Sequence, residues 1–196
     1  MTLDVHPLTP ARWPDLERLF GPRGADGGCW CMWLRVTQRE FEANAGEGNR
    51  RALKAIVDGG RVPGLIAYGD GEPAGWVSVA PRPQFGRVER SPVTKPVDER
   101  PAWAIVCFFI APLHRGTGVA RALLAAAEQY AEAQGAELLE GYPVDTAERP
   151  IATVEAWHGT TSMFESAGFA VVVRRRERRP VMRKEIGGPG APRPRR

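Results

Sequence analysis

Two glycines and an arginine stand where an apolar segment gives way to an Ala- and Leu-rich one. The run Arg115-Gly116-Thr117-Gly118-Val119-Ala120 follows the apolar residues 104–110 and opens the second segment. Backbone N–H groups at the start of a helix have no partner within the helix and carry the positive end of its dipole. Glycine lacks the Cβ atom that would keep a ligand away from those groups. The run therefore predicts an anion site, and pyrophosphate is the anion that suits it best.

Two widespread phosphate-binding patterns do not fit this run. A dinucleotide fingerprint needs a third glycine, and Arg121 stands at its position. A Walker loop needs Gly-Lys-Ser/Thr, which the run lacks. The pattern that remains is Arg-x-x-Gly-x-Ala, from Arg115 to Ala120. A plain turn between a strand and a helix is the alternative interpretation.

The surrounding sequence predicts the elements that would position this run. Apolar alternation and turn residues predict strands over 3–8, 64–68, 73–79, 103–110, 137–142, 168–176 and 180–186. Helical spacing predicts helices over 9–20, 50–58, 117–134 and 151–166, and a capping box at Thr37–Glu40 predicts a further helical start. Residues 69–72 predict a hairpin turn, and residues 81–97 a long connection.

Two short motifs and the order of these elements resemble one family. Arg115-x-x-Gly118-x-Ala120 resembles the coenzyme A loop of the GNAT superfamily of N-acetyltransferases, Gln/Arg-x-x-Gly-x-Gly/Ala. The segment Phe164-Glu165-Ser166-Ala167-Gly168-Phe169 is similar to the Tyr-Glu-x-x-Gly-Phe that ends the last helix in many members. The resemblance implies an α/β (mixed α+β) fold in a single domain over residues 1–186. Its central mixed sheet would contain a splayed pair of parallel strands and be flanked by helices.

The same resemblance implies acetyl-CoA as the co-substrate, bound where strands 103–110 and 137–142 separate. Backbone groups of Phe109 and Ile110 would pair with the pantetheine arm, and an N–H near Ile110 could polarise the thioester carbonyl. The pyrophosphate would be held by Arg115, Gly116, Thr117, Gly118, Val119 and Ala120.

The resemblance also implies direct attack by an amine on the thioester, but one familiar catalytic group is missing. Many members have a tyrosine that protonates the leaving thiolate, and here Phe164 stands at that position. We therefore predict Tyr142 as the acid, with Ser162 or water as alternatives. Glu140 is the predicted base and Asp145 the alternative; Glu140 could instead pair with an arginine on a neighbouring strand. His158 is expected to serve helix packing or to lie at the surface.

The segment Cys29-Trp30-Cys31-Met32-Trp33-Leu34-Arg35 falls where the family varies its acceptor-binding region. Trp30, Trp33 and Arg35 are predicted to line an acceptor pocket, and the alternative is that the tryptophans anchor the core. Cys-x-Cys lacks the spacing of common zinc motifs, and Cys107 is the only other cysteine. No metal is therefore predicted, although a cysteine-based metal or redox protein stays open as a third interpretation.

Composition and charge limit the partners. The 196 residues are 43% hydrophobic and 26% charged, with a net charge of +4. Ten basic and two acidic residues follow from Arg174 onward, so the preceding part carries a net charge of −4. Without a nucleic-acid motif, this basic segment from Arg174 onward does not predict nucleic-acid binding. Residues 187–196 are expected to be a disordered basic tail, and neither a membrane span nor a signal peptide is predicted.

Taken together, these features predict a cytoplasmic N-acetyltransferase. It would transfer acetyl directly from acetyl-CoA to a primary amine of a small molecule or peptide, and the last two strands could support a homodimer. The competing prediction is a catalytically degenerate GNAT domain that binds coenzyme A as a sensor or scaffold. Phe164 is the residue that keeps this alternative open.

Overall fold

Seven strands form one mixed sheet in the computed structural model, which describes residues 2–147 and 153–187. They lie in the order β1-β2-β3-β4-β5-β7-β6, and every neighbouring pair is antiparallel except β4 and β5. Their bounds are β1 Leu3–Pro7, β2 Gly64–Gly69, β3 Glu72–Pro81, β4 Trp103–Ile110, β5 Leu138–Gly141, β6 Ala170–Arg174 and β7 Pro180–Glu185. All seven predicted strands are thus present.

Six α-helices accompany the sheet in the described part of the chain. They are α1 Trp13–Phe20, α2 Gln38–Ala43, α3 Glu47–Asp58, α4 Gly86–Arg90, α5 Val119–Ala133 and α6 Thr161–Ser166. Short 3₁₀ turns cover 10–12, 82–84, 112–114 and 153–158.

Local signals set several of these boundaries. The capping box is formed, because the Glu40 backbone N–H donates to Thr37 Oγ1 and the Thr37 N–H donates back to the Glu40 carboxylate. The hairpin between β2 and β3 turns through Asp70 and Gly71, both with positive φ. The predicted connection 81–97 contains α4, one short helix that the sequence did not indicate.

The predicted helix over 151–166 is wrong in its extent. Gly159, with a φ of +75°, separates a 3₁₀ turn at Thr153–His158 from α6. Residues 151–152 lie outside the described residues. So do residues 188–196, which make up nearly all of the predicted tail.

Apolar side chains pack on both faces of the sheet. One face carries α5 and α6, with Leu123 and Phe164 fully buried against it. The other face carries α1 and α3, where Leu16 and Trp76 are fully buried. The sheet is therefore a middle layer, and the ends of its strands are where a ligand can reach backbone groups.

Strands β4 and β5 separate soon after they meet. Their pairing covers only Trp103–Ile105 and Leu139–Gly141, whereas β4 continues to Ile110 along β3. After β5 the chain forms one isolated parallel bridge, in which Val144 pairs with Thr160 just before α6. The predicted splayed parallel pair is confirmed, and the last residues of β4 face an opening.

Candidate functional site

A cavity of about 450 Å³ lies where β4 ends and α5 begins. Its wall combines the end of β4, the following loop, the first turn of α5 and the start of α6. The lining residues are Ile110, His114, Arg115, Gly116, Gly118, Val119, Ala120, Arg121, Thr160, Ser162 and Met163. The cavity thus joins the glycine loop to the opening between the two parallel strands.

The loop presents its backbone to this cavity. Gly116 and Gly118 have φ values of +76° and +91°, and a Cβ atom added to either would meet nothing within 4 Å. Two hydrogen bonds from side chains to the backbone stabilise the loop. Thr117 Oγ1 donates to the His114 carbonyl at 2.7 Å, and Arg115 Nε donates to the Ile110 carbonyl at 3.3 Å. Because α5 begins at Val119, its first N–H groups lack partners within the helix.

Most of the predicted donor-site residues are in this wall. Six of the eight line the cavity, namely Ile110, Arg115, Gly116, Gly118, Val119 and Ala120. Thr117 supports the loop instead, and the Phe109 ring lies on the α1 face, 5.5 Å from the Phe20 ring. The prediction for Phe109 concerned its backbone, so it stays a prediction.

The cavity wall also contains residues that were not predicted from the sequence to lie there. His114 and Arg121 flank the glycine run, and the arginine at the third-glycine position was the available signal. Thr160 and Met163 come from α6 and its cap, more than 40 positions along the chain. Only the crossover of β5 into α6 brings them to the loop.

Phe164 is a core residue just behind the opening. Its side chain is fully buried, and its ring lies edge-on to Phe108 and Phe169 at 6.2 and 5.0 Å. A Cβ atom added to Gly141 would lie 2.1 Å from this ring, so β5 ends in close contact with it. The ring separates the core from the strand opening and offers no proton.

The two predicted catalytic residues lie together in a buried ionic cluster. Glu140 is 0% exposed, and its Oε1 accepts from Arg82 Nη1 at 3.1 Å and from Arg183 Nε at 2.8 Å. Its Oε2 accepts from the Tyr142 hydroxyl at 2.7 Å. Arg183 belongs to the neighbouring strand β7, which is the alternative the sequence left open. Neither Glu140 nor Tyr142 lines the cavity.

Burial fixes the protonation of Tyr142. The side chain is 2% exposed, and desolvation followed by the nearby Glu140 charge raises the pKa of its phenol well above the usual value. The phenol therefore stays protonated at neutral pH, and its hydroxyl donates a hydrogen bond to Glu140.

Replacing Tyr142 by phenylalanine tests its role directly. Because the hydroxyl is engaged by Glu140, we expect Tyr142→Phe to lower the free energy of unfolding by about 1–2 kcal/mol and to leave turnover nearly unchanged. Denaturant unfolding and steady-state kinetics measure the two effects. A fall in kcat with unchanged acetyl-CoA affinity would instead assign the acid to Tyr142.

The alternative base and the nearby histidine also have partners. Asp145 pairs with Arg174 at 2.7 Å, and its pKa is lowered mainly by the Ala147 backbone N–H and then by that arginine. His158 is buried, and desolvation and the adjacent Arg179 hold its pKa well below the usual value. His158 Nε2 contacts a guanidinium nitrogen of Arg179, so this lone pair is occupied.

The three residues predicted to bind the acceptor differ in how deeply they are buried. Trp30 packs in the core beside Trp13 and Phe20, the arrangement that the alternative interpretation described. Arg35 is buried and donates to the Pro63 carbonyl at 2.9 Å. Trp33 is half-buried, with the Arg87 guanidinium 3.7 Å from its ring centroid. Of the three, Trp33 keeps the most access to solvent.

Within 2–147 and 153–187, no helix is long and apolar enough to cross a membrane. Over the same ranges, no group of three or more His, Cys, Asp or Glu side chains is arranged to hold a metal ion.

Comparison with known families identifies the class of protein that this fold and loop define. A model of the Acetyltransferase (GNAT) family matches residues 30–157, more than half of the chain. The chain belongs to the GNAT family of acetyltransferases. Comparison with curated protein sequences gave no match.

Solved structures with this fold are named for different activities. The PaiA N-acetyltransferase of Thermoplasma acidophilum, solved with coenzyme A, is 14% identical with a TM-score of 0.54, over 95% of this chain and 100% of that one. The ribosomal-protein-S18-alanine N-acetyltransferase of Escherichia coli is 14% identical with a TM-score of 0.50, over 97% of each chain. A mosquito arylalkylamine N-acetyltransferase like 5b is 10% identical with a TM-score of 0.58, over 94% and 100%. At these identities the likeness concerns the fold.

Proposed function

We propose that this protein is an acetyl-CoA-dependent N-acetyltransferase that moves the acetyl group directly to a primary amine. The observation that carries the proposal is the cavity at the open end of β4 and β5, into which the loop 115–120 turns its backbone. Membership of the GNAT family supports the same activity.

The loop and the strand end would hold opposite ends of the donor. N–H groups at the start of α5, with the cavity-lining Arg115 and Arg121, would hold the pyrophosphate. The backbone of β4 after Ile105 has no β5 partner, so it can pair with the pantetheine arm as a strand would. The thioester would then lie beside the point where β5 leaves β4.

At that point the amine nitrogen attacks the thioester carbonyl. A carbon–nitrogen bond forms, the carbon–sulfur bond breaks, and the amine proton passes to a water molecule. A β4 backbone N–H would donate to the oxyanion that develops on the carbonyl oxygen. Ser162 or water would protonate the thiolate, since Phe164 has no hydroxyl and that of Tyr142 is bound to Glu140.

The acceptor is a primary amine of a small molecule or a peptide. Trp33 of the predicted acceptor segment is partly exposed and could contact it, together with Arg87 of α4, which stacks on its ring. The three unpaired cysteines fit a reducing compartment, so we place the activity in the cytoplasm.

The test is a binding measurement followed by a turnover panel. Calorimetry with coenzyme A should first give saturable binding. Acetyl-CoA consumption should then appear with at least one class among arylalkylamines, polyamines, amino acids and peptide N-termini. Absence of binding would overturn the proposal. Tight binding without turnover on any class would favour the degenerate coenzyme A-binding domain, for which Phe164 is the supporting feature.

A further inference from the structure

The three cysteines form a cluster that the proposed transfer reaction does not use. Cys31 comes from the segment before α2 and Cys107 from β4, yet their Sγ atoms are only 3.7 Å apart. Cys29 lies close by, because the charge of Cys31 helps to raise the pKa of Cys29, and that of Cys29 helps to raise the pKa of Cys107. All three are free thiols.

The backbone turns Cys31 towards β4. Trp30 and Cys31 have φ values of +45° and +53°, so two successive residues adopt the left-handed conformation. Such a conformation is costly for residues other than glycine and persists only where the surroundings hold it. Here the Trp30 ring is buried among aromatic side chains, which holds the turn and leaves Cys31 6% exposed.

The surroundings of Cys31 lower the pKa of its thiol. The indole Nε1–H of fully buried Trp76 donates to Cys31 Sγ at 3.0 Å, and the Arg35 guanidinium adds a positive charge. The hydrogen bond with Cys107 lowers the pKa of Cys31 more than burial raises it, and the Trp76 hydrogen bond lowers it further. The contact with Cys31, followed by burial, raises the pKa of Cys107 well above the usual value.

Cys29 is held differently. Its sulfur accepts from the backbone N–H groups of the tight turn that follows it, and burial raises its pKa to about 11. A thiol in that state is a poor nucleophile. Cys29 therefore serves as an internal comparison for Cys31.

We propose that Cys31 and Cys107 are a peroxide-reactive thiol pair that closes to a disulfide. The Cys31 thiolate attacks one oxygen of a hydroperoxide, the O–O bond breaks, and the departing hydroxide takes a proton to become water or an alcohol. Cys107 then attacks the sulfenic sulfur of Cys31, the S–O bond breaks, and the hydroxide leaves with the Cys107 proton as water. The two thiols are oxidised and the peroxide is reduced.

Access and geometry favour a small oxidant. Because Cys31 is nearly buried, a water-sized peroxide can reach its sulfur more readily than a bulky disulfide. Closure must bring the two sulfurs from 3.7 Å to about 2.0 Å.

The experiment uses the full chain, hydrogen peroxide and no acetyl-CoA, so its outcome is independent of the transferase proposal. Limiting peroxide should remove two of the three free thiols and reduce the intact mass by two hydrogens, reversibly with dithiothreitol. Peptide mapping should find the Cys31–Cys107 link. No loss of thiols, or a disulfide that contains Cys29, would overturn the proposal.

Two variants sharpen the assignment. Cys29→Ser should form the same link at an unchanged rate. Cys107→Ser should stop at a sulfenic acid on Cys31, captured by dimedone about tenfold faster than any adduct on Cys29. Circular dichroism checks that Cys107→Ser folds; if it does not, dimedone capture on the wild-type chain at short times decides which cysteine reacts first. Capture on Cys29 or Cys107 would overturn the order.

Discussion

Replacing Gly118 by leucine is expected to weaken coenzyme A binding by about 100-fold or more, because each charge-assisted hydrogen bond to the pyrophosphate contributes about 1.5–3 kcal/mol. The position has a φ of +91° and opens onto the cavity. A side chain there would occupy the space in front of the first α5 N–H groups and would strain the loop. Calorimetric titration with coenzyme A measures the loss.

Gly135 offers a matched control at the other end of the same helix. It has a φ of +83°, and an added Cβ would meet nothing within 4 Å, but it does not line the cavity. Gly135→Leu should therefore carry a similar backbone strain of about 1–3 kcal/mol and bind coenzyme A as the wild type does. If both variants bind equally well, the loop is not the pyrophosphate site.

Replacing Glu140 by glutamine should destabilise the protein by about 1–3 kcal/mol, because it removes the buried carboxylate that two arginines share. The loss stays moderate because Arg82 keeps its pair with Glu89, and Arg183 keeps its pair with Asp98. Arg82 and Arg183 are both nearly buried, and both donate to Glu140 Oε1. Glutamine matches the shape of glutamate, so no cavity forms and the removed charge accounts for the effect. Denaturant unfolding of the two proteins gives the difference.

Glu185 on β7 is the control for the same chemical change. It pairs with Arg100 at 2.6 Å, but both side chains are more than half exposed. Water screens such a pair, so Glu185→Gln should alter the stability little. If Glu140→Gln unfolds like the wild type and instead loses turnover, Glu140 is the general base and the cluster is not structural.

Local patterns were enough to predict much of the fold. Turn residues and capping signals depend on neighbours within a few positions, so the capping box at Thr37 and the hairpin at Asp70 could be predicted without tertiary information. The break at Gly159 was missed because a glycine within an apolar helical pattern does not by itself end a helix. The short helix α4 was missed for a related reason, since a proline-rich stretch predicts a connection.

Most of the donor site could also be predicted from local patterns. A strand, two glycines and a helix start are contiguous in the chain, so their geometry follows from local rules, and most of the predicted residues line the cavity. The far wall at Thr160 and Ser162 was not placed opposite the loop, because a crossover of the chain brings it there.

What the sequence by itself determined is the family, the order of the elements and the loop at Arg115–Ala120. These rest on contiguous residues whose backbone preferences are local. What only the tertiary structure decided is the state of the distant side chains. From the sequence, Glu140 and Tyr142 were predicted to be the base and the acid. In the structure, Arg82 and Arg183, which are distant in the sequence, bind the Glu140 carboxylate. Likewise, Cys31 and Cys107 are 76 positions apart, and their contact exists only because the sheet folds one segment over the other.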